Sequence, residues 1–428
     1  MPGTNARSGV GTNQESVRRH NLSTLLSHLH LAGQLSRSSL TTLMGLNRST
    51  IADLVAELEM LGLAEQQAPD ARSRAAAGRP SVGVAATDRA YALAIDVRVS
   101  GLTAARIGLG GVVLSEANDQ SPIGHDPQAT VDAVVGLAQT AVRDADPQSV
   151  LVGIGVSVPG IIDRDTGIVR LAPNLEWHDL PFAEMLAAEL GTPLRPVLGN
   201  DADLGALAEH VRGVGRGVDD LVYLAGEVGV GAGLIAGGRP VSGASGFAGE
   251  IGHLPFGDGT RPCHCGARGC WETEIGAAAM AEAVGCPPDR LTDLGACLDE
   301  LDSAPPELAA IGRHLGRGLA GLVNLLNPQI IVLGGYLCPL YRWVEHEVLD
   351  ELAVRALRIS GMHPRIELPR LGDHSVLIGA AEVAFRGLLA DPAGCLSGAK
   401  RTADLGKVSG NGSPSHTKEK TAWDGPVD

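Results

Sequence analysis

Between Gly249 and Glu274 the chain reads G-E-I-G-H-L-P-F-G-D-G-T-R-P-C-H-C-G-A-R-G-C-W-E-T-E. Within this span His253, Cys263, Cys265 and Cys270 supply one imidazole and three thiols, the donor set of a tetrahedral structural zinc. Gly266 and Gly269 permit the tight turns that gather three sulfurs. Protein fills all four positions and leaves none open for an activated water, so the expectation is one structural Zn(2+) per chain. The alternative, three buried cysteines and a surface histidine, is disfavoured by the spacing. Glu250 and Glu272 bracket the cluster, and carboxylates beside a shaped loop are natural acceptors for sugar hydroxyls.

The combination E-x-G-H followed by C-x-C-G-x-x-G-C-x-E resembles the signature of the ROK (repressor, open reading frame, kinase) family, and here it is complete. That family holds sugar kinases and sugar-responsive transcription factors. The rest of the chain must say which kind this is.

With 428 residues there is room for two or three domains. No apolar run reaches the roughly 18 residues that a membrane span needs, and the polar N-terminus lacks the apolar core of a signal peptide. A cytoplasmic chain without membrane insertion is expected. Seven cysteines in such a length are no disulfide framework, and the clustered three read as metal ligands in a reducing compartment. The net charge of −15 is uneven: residues 1–82 carry eight arginines against six carboxylates, about +2, which leaves −17 for the remainder. An acidic body with a slightly basic head suits a small DNA-binding module on a larger domain that does not touch DNA.

Residues 1–15 are polar and read as disordered. From Ser16, the residues Val17, Leu22, Leu25, Leu26 and Leu29 recur at helical spacing up to Gly33. Ser36 caps a short second helix through Leu40 and Leu43, and Gly45 supplies a turn. Asn47 caps the next helix, whose buried face is Ile51, Leu54, Val55 and Leu58 before Gly62 ends it. Two short helices around a glycine turn define a helix-turn-helix whose recognition helix exposes Asn47, Arg48, Ser49 and Thr50, with Arg37 at the start of the helix before it. The segment from Gln66 to Val82 reads as a flexible wing, in which Arg72, Arg74 and Arg79 could reach phosphates or a minor groove. A three-helix protein-interaction module is the alternative. The stretch from V-R-R-H-N to G-R-P also resembles the winged helix-turn-helix of the family's regulators, which its kinases lack.

Beyond Tyr91 the pattern turns to strands at Ala92–Val97, Leu102–Leu109, Val112–Leu114 and Val150–Val158, with a helix from Thr130 to Arg143. A second series follows at Val222–Leu224 and Ala232–Ile235, then helices from Ile275, then Ile330–Leu333. Strand meanders followed by helices, occurring twice, predict two similar α/β lobes with a cleft between them. The family resemblance implies the actin-like ATPase fold of sugar kinases and heat-shock proteins, which is ribonuclease H-like. The expected division is a winged helix-turn-helix at 16–82, a first lobe at 88–198 completed by a helix at 375–390, a second lobe with the zinc loop at 199–374, and a disordered tail at 391–428.

Asn174 in Ala-Pro-Asn-Leu and Asn200-Asp201 after Gly199 follow turn or strand-end signals, where α/β proteins place ligand contacts. The resemblance implies that Asn174, Asn200, Asp201, Glu250, His253 and Glu272 contact a sugar, and that Asp201 matches the catalytic base of the kinases. Phosphoryl transfer needs more than a base. The family's first phosphate loop, D-x-G-G-T, stands here as Asp96-Val97-Arg98-Val99-Ser100, and its second, G-T-G-x-G, as Glu227-Val228-Gly229-Val230-Gly231. Two glycines and a hydroxyl are lost, and Glu227 would repel phosphates. No catalytic residue is expected, Asp201 being a vestigial base. The reading is a sugar-responsive regulator, a repressor of carbohydrate genes, with operator DNA, a sugar or sugar-phosphate effector and a homodimer or homotetramer as partners. An active ATP-dependent sugar kinase with an added DNA-binding domain is the alternative.

Overall fold

The computed structural model describes residues 14–67, 83–357 and 364–398. The N-terminal head begins with α1 (Gln14–Ala32), where Leu22, Leu25, Leu26 and Leu29 are buried while Val17 is 47% exposed. The helical stripe is therefore one turn shorter than its spacing predicts. Next come β1 (Leu35–Ser36) and α2 (Arg37–Met44). Ser36 Oγ accepts from Ser39 N at 3.0 Å, as its cap role requires, and Gly45 ends the helix at φ 65°. Leu40 is buried but Leu43 faces solvent. In α3 (Arg48–Met60) Asn47 Oδ1 accepts from Thr50 N at 2.8 Å, and Ile51, Leu54, Val55 and Leu58 form the packed face. Strands β2 (Ala64–Gln67) and β3 (Gly83–Ala86) then pair antiparallel, and β1 pairs on the other side of β3. Three helices against such a sheet make a winged helix. Arg72, Arg74 and Arg79 lie outside the described residues, as do residues 1–13 and 399–428, where disorder is expected from composition.

The first lobe opens with the antiparallel meander β4 (Ala90–Val97), β5 (Gly101–Gly108) and β6 (Val112–Gln120). After α4 (Pro127–Val142), β7 (Val150–Ser157) joins β4 in parallel. Strands β8 (Ile161–Asp163), β9 (Ile168–Ala172) and β10 (Trp177–Leu180) form a small separate sheet, followed by α5 (Phe182–Glu189). Strand β11 (Val197–Gly199) adds parallel to β7 and runs straight into α6 (Asp201–Val211).

The second lobe repeats the plan with β12 (Leu221–Gly226), β13 (Val230–Ala236) and β14 (Arg239–Pro240). Its helices are α7 (Glu272–Ile275), α8 (Ala277–Val284), α9 (Leu294–Asp299) and α10 (Leu308–Leu326). Strand β15 (Ile330–Gly335) pairs parallel to β12, and after α11 (Leu337–Arg355) the short β16 (Arg365–Glu367) closes the edge. The sheet orders β6-β5-β4-β7-β11 and β14-β13-β12-β15-β16 are equivalent, three antiparallel strands then two parallel ones. That duplication is the sugar-kinase and actin-like architecture.

Helix α12 (Ser375–Ala384) returns to the first lobe and lies on β4 and β7. It comes so close that a Cβ on Gly153 or Gly155 would run into the carbonyls of Ala384 and Ala380. Two short helices follow, α13 (Arg386–Ala390) and α14 (Pro392–Gly398). The second corrects the expectation of a tail disordered from residue 391, since it packs beside β7 through Cys395 and Leu396. A second correction concerns the cysteines: Cys286 and Cys297 are joined as a disulfide, their Cα atoms brought to 6.1 Å where α8 turns into α9. Among the described residues no helix is long and apolar enough to cross a membrane. Head and first lobe share one continuous apolar core, in which Leu25 and Leu29 belong with Phe385 and Leu388.

Candidate functional site

A cleft of about 1390 Å³ separates the two large sheets, and all six residues read from sequence as ligand contacts line it. Asn174 sits in the single 3-10 turn Pro173–Leu175 that follows β9. Asn200 is the N-cap of α6, its Oδ1 accepting from Ala202 N at 2.9 Å and from Asp203 N at 3.3 Å. Its Nδ2 donates to the Gly160 carbonyl at 3.1 Å across the cleft edge, so both ends of the amide are fixed. Asp201 is the first residue of that helix, at the end of a parallel strand where α/β folds present ligand contacts. Glu250 precedes and His253 ends the turn Ile251–His253, reached through Gly249 at φ 106°; a Cβ on Gly249 would run into the Ala232 carbonyl. Glu272 opens α7.

The ligand atoms of His253, Cys263, Cys265 and Cys270 all lie within 4.8 Å of one another. Cys263 Sγ is 3.6 Å from His253 Nδ1, and Cys265 Sγ is 3.6 Å from Cys270 Sγ. Donors about 2.0–2.3 Å from one ion stand roughly 3.5–3.8 Å apart at tetrahedral angles, so two of the pairs already have the spacing of a zinc site and the whole set lies close to it. Gly266 at φ 89° and Gly269 at φ 72° supply the turns. His253 faces two ways. Its Nδ1 points at the sulfurs, while its Nε2 lies 3.8 Å from Glu250 in the cleft. Cys263 also donates to Glu272 Oε1 at 2.9 Å, tying the cluster to the second cleft carboxylate.

Charge in the cleft is predominantly negative. Glu176, Asp201, Asp203, Glu227, Glu250, Glu272 and Glu282 line it against Arg261 and three imidazoles. Burial pushes the Asp201 carboxyl up, opposed by the Ala202 N–H and reinforced by Asp96, Asp203 and Glu250. Burial also raises Glu227, with Asp201 and Asp96 adding repulsion and Arg98 relieving it. Asp203 is pushed up to about 6 by burial, against the pull of Arg164, with which it pairs. Sequence reasoning missed Glu176, which walls the cleft at φ 57°, a left-handed conformation uncommon for a charged side chain. Its signal was weak: it only follows the Pro-Asn-Leu turn.

In the segment Asp96–Ser100, Arg98 Nε lies 3.3 Å from the buried Asp96 carboxylate and its Nη2 donates to Thr103 at 3.2 Å. A Cβ on Gly229 would lie 2.8 Å from Glu272 Oε2, so a carboxylate covers the second loop. In the head, Arg48 is exposed at the start of α3, and Thr50 and Arg37 are half-buried. Asn47 and Ser49, also exposed, are engaged with each other at 2.7 Å as part of the helix cap.

The raised Glu227 carboxyl carries a stability consequence. The folded chain holds that proton at pH values where the unfolded chain has released it, so stability falls as pH rises from the ordinary carboxylate range towards neutrality and beyond. Glu227→Gln removes the fall. The variant should melt roughly 5 °C above the parent near pH 8.5, on the order of 2 kcal/mol, and close to it near pH 5. Equal melting gains at both pH values would contradict this origin.

A winged-helix head on a two-lobed actin-like body with a His/Cys cluster beside its cleft defines a class of sugar kinases and sugar-responsive regulators. Residues 92–386 match the ROK family, and the chain belongs to that family. It is 27% identical over 381 residues to the xylose repressor of Caldicellulosiruptor bescii, covering 84% of this chain and 93% of that protein. It is 35% identical over 207 residues to the glucokinase of Halalkalibacterium halodurans, covering 44% of this chain and 62% of that enzyme. Its fold superposes on the crystal structure of a ROK family transcriptional regulator homologous to the MLC protein of Escherichia coli, with a TM-score of 0.70 and 24% identity over 89% of this chain and 98% of that one.

Proposed function

We propose that this protein is a transcriptional repressor that reads operator DNA with its winged-helix head and binds an uncharged sugar in the cleft without phosphorylating it. The observation that carries this reading is the pairing, in one chain, of the capped helices α2 and α3 of the head with a cleft lined by all six expected sugar contacts. The length of the match supports the regulator over the kinase. The xylose repressor matches 84% of this chain, the glucokinase 44%. The loops also favour it, because Arg98 is occupied by Asp96, and Glu227 and Glu272 stand where phosphates would need cations and backbone amides. The acidic lining disfavours a sugar phosphate, so the effector is the free sugar. His253, Cys263, Cys265 and Cys270 hold one structural zinc, and Arg37, Asn47, Arg48, Ser49 and Thr50 face the DNA with the wing arginines. Two heads on two half-sites require at least a homodimer.

The test is direct. A duplex is selected from random DNA with the purified protein, and D-xylose, D-glucose and their phosphates are titrated into the complex. Free sugar should weaken DNA binding at least tenfold and the phosphates should not. An Arg48→Ala control should lose the selected duplex. Release by phosphorylated sugars alone would overturn the assignment of the effector.

A further inference from the structure

Helix α6 reaches the cleft with its first residue, and Arg212, the residue after its last, meets the head. At the cleft end Asn200 caps it, and Asn200 and Asp203 tie it to Gly160 and Arg164, which stand on either side of β8. At the far end Arg212, the residue that follows the helix, enters a buried cluster shared by three parts of the chain. Its Nε donates to Glu382 of α12 at 2.5 Å, and its Nη1 donates to the backbone carbonyl of His30, in α1, at 3.0 Å. His30 Nε2 is 3.0 Å from the other Glu382 oxygen, and Gly110 N donates to His30 Nδ1 at 3.1 Å. His30 is 1% exposed and the Arg212 and Glu382 side chains 9% and 7%. We propose that α6 is a strut carrying the state of the cleft to the DNA-binding head, and that Arg212, Glu382 and His30 are the joint that delivers it.

Two physical arguments support this. First, the strut is stiff. Eleven helical residues span about 16 Å, and α6 is clamped backbone to backbone on two sides. A Cβ on Gly233 of β13 would run into the Ala202 carbonyl, and one on Gly379 of α12 into the Leu204 carbonyl. Motion at its first turn therefore takes α12, and with it Glu382, along. Second, a buried ion pair is a poor device for stability alone, since an apolar replacement of similar volume is often as stable. Its best-attested use is to fix one arrangement of packed elements. Around it, head and body meet through the Ser23 hydroxyl, which donates to the Leu389 carbonyl at 2.6 Å, and through an apolar surface that includes Leu25, Leu29 and Phe385, and apolar contacts tolerate sliding. The charged joint gives that surface a defined register. Arg212 is thus a positioning residue. The functional meaning of the strut rests on reading the cleft as the effector site, but its existence can be tested without sugar or DNA.

The experiment is a double-mutant cycle read by amide hydrogen exchange on the full chain. Asn200→Ala frees the cleft end of α6, and the paired replacement Arg212→Met with Glu382→Leu removes the joint without leaving a lone buried charge. With the joint intact, Asn200→Ala should speed exchange of α1 amides between Leu22 and His30 at least fivefold. With the joint replaced, the same change should add less than twofold, although sites so far apart normally act independently. If Asn200→Ala leaves α1 exchange unchanged, or the two changes multiply without interaction, the strut is refuted. If the paired replacement does not fold, Glu382→Gln takes its place and the same two outcomes apply. Finding that no sugar affects DNA binding would sink the proposed function and leave this result standing.

Discussion

Cys265→Ser should yield a chain that holds no zinc and melts on the order of 10 °C below the parent. The expectation follows from what the cluster supports. Cys265 is solvent-exposed, so exchanging sulfur for oxygen removes one thiolate ligand and almost no packing. A three-ligand remnant loses most of the binding free energy, and binding free energy at a structural site is folding free energy. If about 4 kcal/mol of it reaches the second lobe, at roughly 2–4 °C per kcal/mol, the midpoint falls by the stated amount. The damage should be directional. Without the ion, the wall bearing Glu250, His253 and Glu272 keeps its backbone hydrogen bonds, such as Cys263 N to the Ala267 carbonyl and Trp271 N to the Leu254 carbonyl, but loses the link that ties His253 to the three sulfurs, and sugar affinity should fall at least tenfold. Cys338→Ser, half-buried and away from the cluster, serves as the control and should move neither quantity appreciably. Metal analysis of the parent is decisive: a folded, active protein free of zinc ends the claim.

What the sequence revealed, and what it hid, divides along the range of the interactions involved. Ser36 and Asn47 were readable as caps because capping chemistry is settled within three residues. The cleft residues were readable because a motif fixes their neighbours, and the duplicated topology then brings Asn174, Asn200 and Asp201 to the same cavity as Glu250, His253 and Glu272. Helical spacing could not show where a packed face stops, so Val17 belongs to the predicted stripe of α1 and stands outside. Strand β6 was read only as far as Leu114, since its outer half to Gln120 is polar and largely exposed, without the apolar alternation that marks a strand. The helix at Pro392–Gly398 owes its order to docking on the first lobe, which composition does not encode. The Cys286–Cys297 bond and the joint of His30, Arg212 and Glu382 depend on tertiary approach, the latter across 182 and 352 positions. No window of local sequence contains the members of that joint, whereas the two cysteines are only 11 positions apart.

Asp201 is where the regulator and kinase readings part most sharply. In both, its carboxylate accepts a hydroxyl of the sugar, so Asp201→Ala should weaken binding of the responding sugar by roughly 10- to 100-fold, the value of a hydrogen bond to a charged group. Asp201→Asn keeps an acceptor in place and should lose less. The readings differ on turnover. A base at Asp201 is useless unless the transferred phosphoryl group meets cations and backbone amides. Here the one arginine at the first loop is held by Asp96, and carboxylates of Glu227 and Glu272 crowd the second. Burial, reinforced by Asp96, Asp203 and Glu250 at Asp201 and by Asp201 and Asp96 at Glu227, already raises both carboxyls, and a nucleotide's phosphates would add to that repulsion. With ATP, magnesium and a panel of hexoses and pentoses, the parent should therefore show no phosphorylation above a protein-free control, while still binding its sugar. Sustained turnover that vanishes in Asp201→Asn would make the protein a kinase with a DNA-binding head. Binding lost in Asp201→Ala, with turnover absent throughout, is the outcome expected of a cleft that has kept the sugar contacts of its family and lost the phosphate ones.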